Sequence, residues 1–382
     1  MKVLYIAHSA EMQGAGFALL NMVQGVLRYK VVPYVFVPSE GTLTITLKKM
    51  GISFLVIPFY NAIYPRLNVT LRDIVLFVPR LLRILIYNKL AERKLYLFLK
   101  SNRMDIVHSN TGVIHFGAKV AARLSIPHVW HIREYQKLDF GYRALGGIDG
   151  LKKHLSNSNN HVIAITKGVF HYFKLKQNKD IVIYDGVFMD TDEIKIRMNK
   201  CNYLLFVGAL IKGKGAFCAL SAFEEIAKWD LNVELWFAGE GKKTFIDAVE
   251  KSPFKSRIKL LGFRTDIYEL MSNAKALLVP SFFEGFGFIV VEAMLNGCIV
   301  IGRNEAGLKE QFDNGFQKTG QEIGLRFECQ QELVNQIKYV CNTPFEDFLP
   351  MIKAAQNVIL NYSVDQNVKQ IMSFYKTILK LC

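Results

Sequence analysis

Two glutamates, Glu284 and Glu292, bracket the run Gly285-Phe286-Gly287 within Ser281-Phe-Phe-Glu-Gly-Phe-Gly-Phe-Ile-Val-Val-Glu. Glycines on both sides of Phe286 let the backbone come close to a ligand. A helix beginning near Phe288 would aim its free amides at a pyrophosphate. Helical rise then puts Glu292 roughly 12 Å or less from Glu284, about the span from a sugar ring to a ribose across two phosphates. Carboxylates suit both ends of such a ligand, because each accepts hydrogen bonds from a vicinal diol. The plain alternative is a loop glutamate followed by a solvated helical one.

A second cluster is Gly208-Ala209-Leu210-Ile211-Lys212-Gly213-Lys214-Gly215, set between a predicted strand, Tyr203–Val207, and a predicted helix from Ala216. A glycine-rich turn with a lysine at a helix start is a phosphate-binding arrangement, and Lys214 would supply charge for a leaving diphosphate. The run comes close to the P-loop pattern, but Gly215 stands where a magnesium-holding hydroxyl would be. A solvated turn is the competing reading.

Both motifs need rigid strand ends to hold them. Short β-branched runs alternate with helical patterns along the whole chain, as in βαβ units around a parallel sheet. The first half offers Val3–Ala7, Val31–Val37, Ser53–Ile57, Asp105–His108, His128–His131, Val162–Ile165 and Ile181–Tyr184. The second offers Tyr203–Val207, Val233–Ala238, Ile258–Leu261, Ala276–Val279, Cys298–Ile301 and Gly324–Phe327. Two doubly wound Rossmann-like α/β domains follow, residues 1–188 and 202–362. The polar stretch 189–201 is the expected linker, and 363–382 is a C-terminal helix expected to return to the first domain. Ligands in such sheets sit beyond the carboxyl ends of the strands.

At 382 residues, 51% hydrophobic, 21% charged and with 10 prolines, the chain is neither disordered nor fibrous. Its six cysteines all follow residue 200 and form no C-x-x-C or Cys/His metal spacing, which argues against a disulfide framework or zinc site. The N-terminus meets His8 and Glu11 too soon for a signal peptide, so a cytoplasmic location is expected. Residues 1–200 hold 28 Lys+Arg against 13 Asp+Glu, and residues 201–382 hold 20 against 20. The whole excess of charge lies in the first half, as expected of a face that meets a polyanion. No nucleic-acid reading module is recognisable, which leaves a basic surface that only keeps the chain soluble, or an anionic membrane surface as its partner.

The segment from Arg66 to Lys100 fits that role. On a helical wheel, Arg72, Arg80, Arg83 and Lys94 fall within about 80°, a cationic stripe able to lie on anionic lipid. Pro79 is expected to split the segment into two helices. Charges interrupt it too often for a membrane span. A core-facing helix with a solvated basic side is the alternative.

Taken together, the pair Glu284 and Glu292, the Gly208–Gly215 loop, Phe237-Ala-Gly239-Glu-Gly241, Leu261-Gly262-Phe263 and Pro280-Ser281 resemble the family-four retaining glycosyltransferases of GT-B fold (glycosyl transferases group 1) in order and spacing. The resemblance covers nearly the whole chain and is strongest from Tyr203 to Glu310. It implies two Rossmann-like domains facing across a cleft. It also implies sugar transfer with retained anomeric configuration, from a nucleotide-sugar donor to a glycan or lipid-linked acceptor, with no metal and no cofactor.

On that resemblance, Glu284 binds the transferred sugar, Glu292 the ribose, and the amides of Gly285, Phe286 and Gly287 the sugar and phosphates. Lys214, with Gly208 beside it, faces the diphosphate of a UDP- or GDP-sugar. The base lies near Gly262, Phe263 and Arg264. In the first domain Gly14-Ala15-Gly16 corresponds to the family's glycine loop, and His131, followed by Ile132-Arg133-Glu134, to a histidine near the reacting carbon. Glu284, Lys214 and His131 are thus the expected catalytic residues. A lone histidine at a strand end is also often structural, and His8 and His108 carry that reading too.

Several positions depart from the pattern. Ala209 stands where most members carry an arginine, with Lys212 as a possible substitute cation. Gly16 replaces a commonly acidic residue, Asp185-Gly186 an Asn-Gly turn, and Ala306-Gly307 a Gly-Gly turn near Glu310. Surface-polysaccharide, capsule, lipopolysaccharide or glycolipid synthesis at the inner face of the cell membrane is the expected setting. The alternatives are a GT-B-like nucleotide-sugar epimerase and a non-catalytic nucleotide-sugar-binding subunit.

Overall fold

The structure, a computed structural model, describes residues 1–65, 70–194, 196–229 and 232–381. Arg66, at the head of the basic segment, and Cys382 lie outside the described residues. The chain divides into two compact units: Met1–Gly186 with the chain from Val364 onward, and Val187–Ser363.

The first unit is built on seven strands: β1 (Lys2–Ile6), β2 (Val32–Val37), β3 (Ser53–Val56), β4 (Ile106–Ser109), β5 (His128–Ile132), β6 (Asn160–Ala164) and β7 (Ile181–Val182). They form one sheet in the order β3-β2-β1-β4-β5-β6-β7, and every pairing in it is parallel. The second unit carries β8 (Tyr203–Val207), β9 (Glu234–Ala238), β10 (Ile258–Gly262), β11 (Ala276–Val279), β12 (Ile299–Arg303) and β13 (Leu325–Phe327). Its sheet, also parallel, runs β10-β9-β8-β11-β12-β13. In both sheets the order reverses beside the first strand, the doubly wound arrangement.

Helices cover both faces of such sheets, so their central strands are buried on both sides and read as unbroken apolar runs. Ala276–Val279 is buried along its whole length, as is Ile106–Ser109. Leu4, Ile6, Phe36, Leu95, Val107 and Phe116 belong to the first core, and Leu204, Phe206, Phe223, Phe237, Phe245 and Leu333 to the second. Burying each such side chain contributes about 1.5–3 kcal/mol. Residues 189–201 form no helix or strand among those described, yet Ile196 packs on the second core.

The last helix, Val364–Leu381, packs on the first one, Gly14–Leu27. Gly25 permits the approach: a Cβ there would meet Val368 Cγ2 at 2.5 Å and Val364 Cγ1 at 2.9 Å.

The basic segment differs from expectation in one respect. It does form two helices, but the break falls at Leu76, between Leu71–Val75 and Phe77–Ser101, and not at Pro79. Pro79 lies in the first turn of the second helix, where a missing N–H leaves no bond unmade. Arg80 pairs with Asp73 at 2.8 Å, and Arg83 lies over the Tyr60 ring at 4.8 Å. Among the described residues, no helix is long and apolar enough to cross a membrane.

Candidate functional site

In the second unit, three glycine turns nest at the carboxyl ends of β8, β9 and β10. Gly208, Gly239 and Gly262 all have φ in the positive range, at 137°, 148° and 64°. Gly239 N–H donates to Gly262 O at 2.8 Å and Gly208 N–H to Ala238 O at 2.9 Å. A Cβ on Gly239 would meet Gly208 O at 2.0 Å, so the turns stack only because no side chain separates them.

The Gly208–Gly215 loop ends in a single 3-10 turn, Lys212–Lys214, followed by left-handed Gly215 at φ 76°. The loop is stitched to the turn after β11. Phe282 N–H donates to Gly213 O at 3.2 Å and Ser281 Oγ–H to Lys214 O at 3.4 Å. These bonds bring two motifs from distant parts of the sequence together, and Lys214 Nζ donates to Glu284 Oε1 at 2.6 Å. The ammonium keeps 34% of its side chain exposed and the carboxylate 16%, so both remain reachable by a ligand.

Gly287 turns the chain into the helix Phe288–Leu295 with φ 89°. Its place is set from behind: Gly307 N–H donates to Glu284 O at 3.0 Å. A Cβ on Gly307 would lie 2.5 Å from Gly285 O. Ala306, before it, takes the left-handed φ of 48°. Glu292 lies in the second turn of this helix, and desolvation by burial pushes its carboxyl up to about 7. Phe286 is buried, edge-on to Phe288 and Tyr362. It is therefore a packing anchor, and the ligand-facing capacity of the turn lies in its backbone.

Farther along the same edge, Phe263 is 77% exposed beyond Gly262. Arg264 is held by Asp266, with Nε donating to Oδ1 at 2.8 Å. Ala209 and Lys212 are both exposed.

The first unit, taken by itself, places Gly14 and Gly16 at the start of the helix Gly14–Leu27. A Cβ on Gly16 would lie 2.4 Å from Glu11 O, whereas Gly14 is open. Asn110, at the end of β4, donates from Nδ2 to Ala15 O at 2.8 Å. Its side-chain oxygen accepts from Arg133 Nη2 at 3.1 Å. Arg133 also pairs with Asp185 and donates to His131 Nδ1 at 3.1 Å.

His131 is fully buried. Accepting at Nδ1 leaves its proton on Nε2, 3.8 Å from Asp185 Oδ1. Burial, with Arg133 beside it, holds this imidazole well below its usual pKa and so neutral. His108 is buried and neutral for the same reasons, with Nδ1 2.6 Å from Tyr375 Oη of the last helix. His8 is lowered to about 4 by burial and by Arg133. Among the described residues, no group of three His, Cys, Asp or Glu side chains is gathered as a metal site requires.

Reading the sequence missed two supports. Gln311, buried on the helix Ala306–Thr319, donates from Nε2 to the carbonyls of Phe286 and Gly287. Its only signal was a polar residue on that helix's apolar face. Arg133 and Asp185 appeared as neighbours of other motifs, and nothing in their spacing announced an ion pair.

Residues 190–358 match the family described as glycosyl transferases group 1. Among curated proteins, an uncharacterised glycosyltransferase of Methanocaldococcus jannaschii is 29% identical over 57% of this chain and 61% of its own length. The Campylobacter jejuni N-acetylgalactosamine-N,N'-diacetylbacillosaminyl-diphospho-undecaprenol 4-alpha-N-acetylgalactosaminyltransferase is 24% identical over 42% of this chain and 43% of its own length. The chain thus spans less than two thirds of either relative. Among solved structures, Anabaena HepE, crystallised with UDP and glucose, superposes with a TM-score of 0.77 over 99% of this chain and 100% of its own, at 18% identity. The protein is a two-domain α/β chain of GT-B fold whose residues 190–358 match the family described as glycosyl transferases group 1.

Proposed function

We propose that the chain is a retaining hexosyltransferase that moves a sugar from a UDP- or GDP-sugar to a glycan or lipid-linked acceptor, needing no metal or cofactor. Its setting would be the inner face of the cell membrane, in surface polysaccharide, capsule, lipopolysaccharide or glycolipid synthesis, with the basic first half toward the anionic surface. The observation that carries this reading is the 2.6 Å contact between Lys214 and Glu284 beside the Gly285–Gly287 backbone. A phosphate-seeking cation and a hydroxyl-seeking carboxylate stand one hydrogen bond apart, as the two sides of a sugar–phosphate bond require.

In the reaction, the bond from the anomeric carbon to the phosphate oxygen breaks. The diphosphate keeps the electron pair and Lys214 takes up its charge. The acceptor hydroxyl forms the new carbon–oxygen bond, and its proton passes to the departing diphosphate. Retention rests on the family resemblance. Two similar proteins support the reading: HepE was crystallised with UDP and glucose, and the Campylobacter enzyme is named for a diphospho-undecaprenol acceptor.

A thermal-shift screen of UDP, GDP and their sugars tests donor binding. At a hundredfold excess over Kd the true donor stabilises by about 2.7 kcal/mol. Product analysis by NMR should then show a retained anomer, and Glu284→Ala should abolish transfer. Unchanged turnover in that variant would overturn the assignment. Ala209 favours a second reading, a binding subunit without catalysis, which the same screen would reveal as donor binding with neither transfer nor hydrolysis.

A further inference from the structure

The structure points to the Leu71–Val75 and Phe77–Ser101 helices as a bilayer-docking element that inserts an aliphatic stripe, and we propose that its partner is an anionic phospholipid surface. This deepens the membrane part of the reading above and rests on it. The cations noted from sequence would serve as the border of that stripe, not its contact face.

The longer helix buries only Ala91, Leu95 and Leu99. On its outer side Val78, Leu82, Ile86 and Leu90 follow one another at four-residue steps, and Leu71 and Val75 of the shorter helix are exposed as well. Each of the six is at least 50% exposed, with Leu71 at 79%. Isolated exposed leucines are ordinary, but a line of them one helical turn apart is not. From Val78 to Leu90 alone the stripe runs ~18 Å.

Charge selects the partner. Residues 70–101 hold seven Lys/Arg against two acidic residues, and both acids are already engaged, Asp73 by Arg80 and Glu92 by Lys89. No free carboxylate is left to repel a phosphate. At the edge of the stripe a pocket of about 360 Å³ is lined by Tyr60, Tyr64, Asp73, Arg80 and Arg83 among others. There the Arg83 guanidinium has no carboxylate partner among the described residues. An aliphatic face bordered by cations lies in the plane of a membrane, with its apolar side sunk below the headgroups and guanidiniums at phosphate depth.

The test is cosedimentation of the full chain with mixed phosphatidylcholine–phosphatidylglycerol vesicles at ~0.15 M and ~1 M salt. Binding is expected at both, weaker in high salt, and Leu82→Glu with Ile86→Glu should lower vesicle affinity about tenfold or more. In Ile86→Trp, tryptophan emission should shift to the blue on adding vesicles. Three results would each overturn the proposal: a wild type that stays in solution, a double variant that binds as wild type does, or binding lost entirely at high salt. A dimer that the double variant dissociates without vesicles would assign the stripe to a second copy instead. Nucleotide-sugar binding measured on the same double variant should match wild type, which separates failure here from failure of the donor site.

Discussion

Lys214 and Glu284 come from motifs 70 positions apart, and each was assigned its own end of a donor; in the structure they hold one another. A ligand diphosphate must therefore compete with Glu284 for the ammonium. Glu284→Ala should leave nucleoside diphosphate affinity unchanged or higher, because the cation loses its internal partner. Lys214→Ala should weaken the same ligand by about 10–100-fold, the value of one charge-assisted hydrogen bond. Isothermal titration of UDP and GDP with both variants checks this, and parallel losses would sink it. At this scale the sequence shows residue type and position but not orientation. Phe286 lies inside a motif that reads as ligand-facing, yet its ring is buried against Tyr362. Gln311 could not be found as a support of that motif, because its role depends on how the Ala306–Thr319 helix packs.

Among the elements, the strands were legible because burial on both faces leaves apolar runs with little else in them. Tyr203–Val207 and Ala276–Val279 appear with the same bounds in sequence and structure. The helix break was misplaced because proline was judged by its interior cost, whereas in a first turn it carries none. The glycine turns hold the elements' closest approach. Gly215 combines φ 76° with a position where a Cβ would lie 2.2 Å from Pro280 O. Gly215→Ala should cost roughly 2–5 kcal/mol, from left-handed strain together with overpacking. Gly213, two positions earlier, has open space around it, so Gly213→Ala should stay within about 1 kcal/mol. Denaturant melts of both variants decide; equal losses would mean that the approach to Pro280 does not limit the turn.

Over the whole molecule, the two-domain α/β class was readable from the alternation of patterns, and the asymmetry of charge from counting. The distribution of buried titrating groups was not, since it depends on tertiary burial. All eight histidines precede residue 172. Burial lowers His8 and His115 to about 4 and His128 to about 3, and holds His108 and His131 well below their usual value. A lowered folded pKa gives stability that is present above about 6.5 and lost as pH falls through that value toward the folded one. Glu134 and Glu292, raised by burial to about 8 and about 7, act oppositely: their contribution is present below about 4.5 and lost as pH rises through 7 and 8. With His154 and His161 also lowered, and Asp180 and Asp185 also raised by burial, the histidines outnumber the carboxyls, and stability should peak at about pH 7 and fall faster on the acid side. Hydrogen exchange at about pH 5 should then show the first unit opening before Val187–Ser363, which contains no histidine; the reverse order would refute this.

The first unit is also split along the chain, since the helix that closes over Gly25 and delivers Tyr375 to His108 is the last one described. On the ribosome, Val187–Ser363 can assemble as soon as it emerges, while the earlier unit waits for those late residues. At ~5–20 residues per second the delay is on the order of ten to forty seconds. Through that interval the Gly14–Leu27 helix lacks the partner that packs over Gly25, so the order of synthesis runs opposite to the order in which the two units can close.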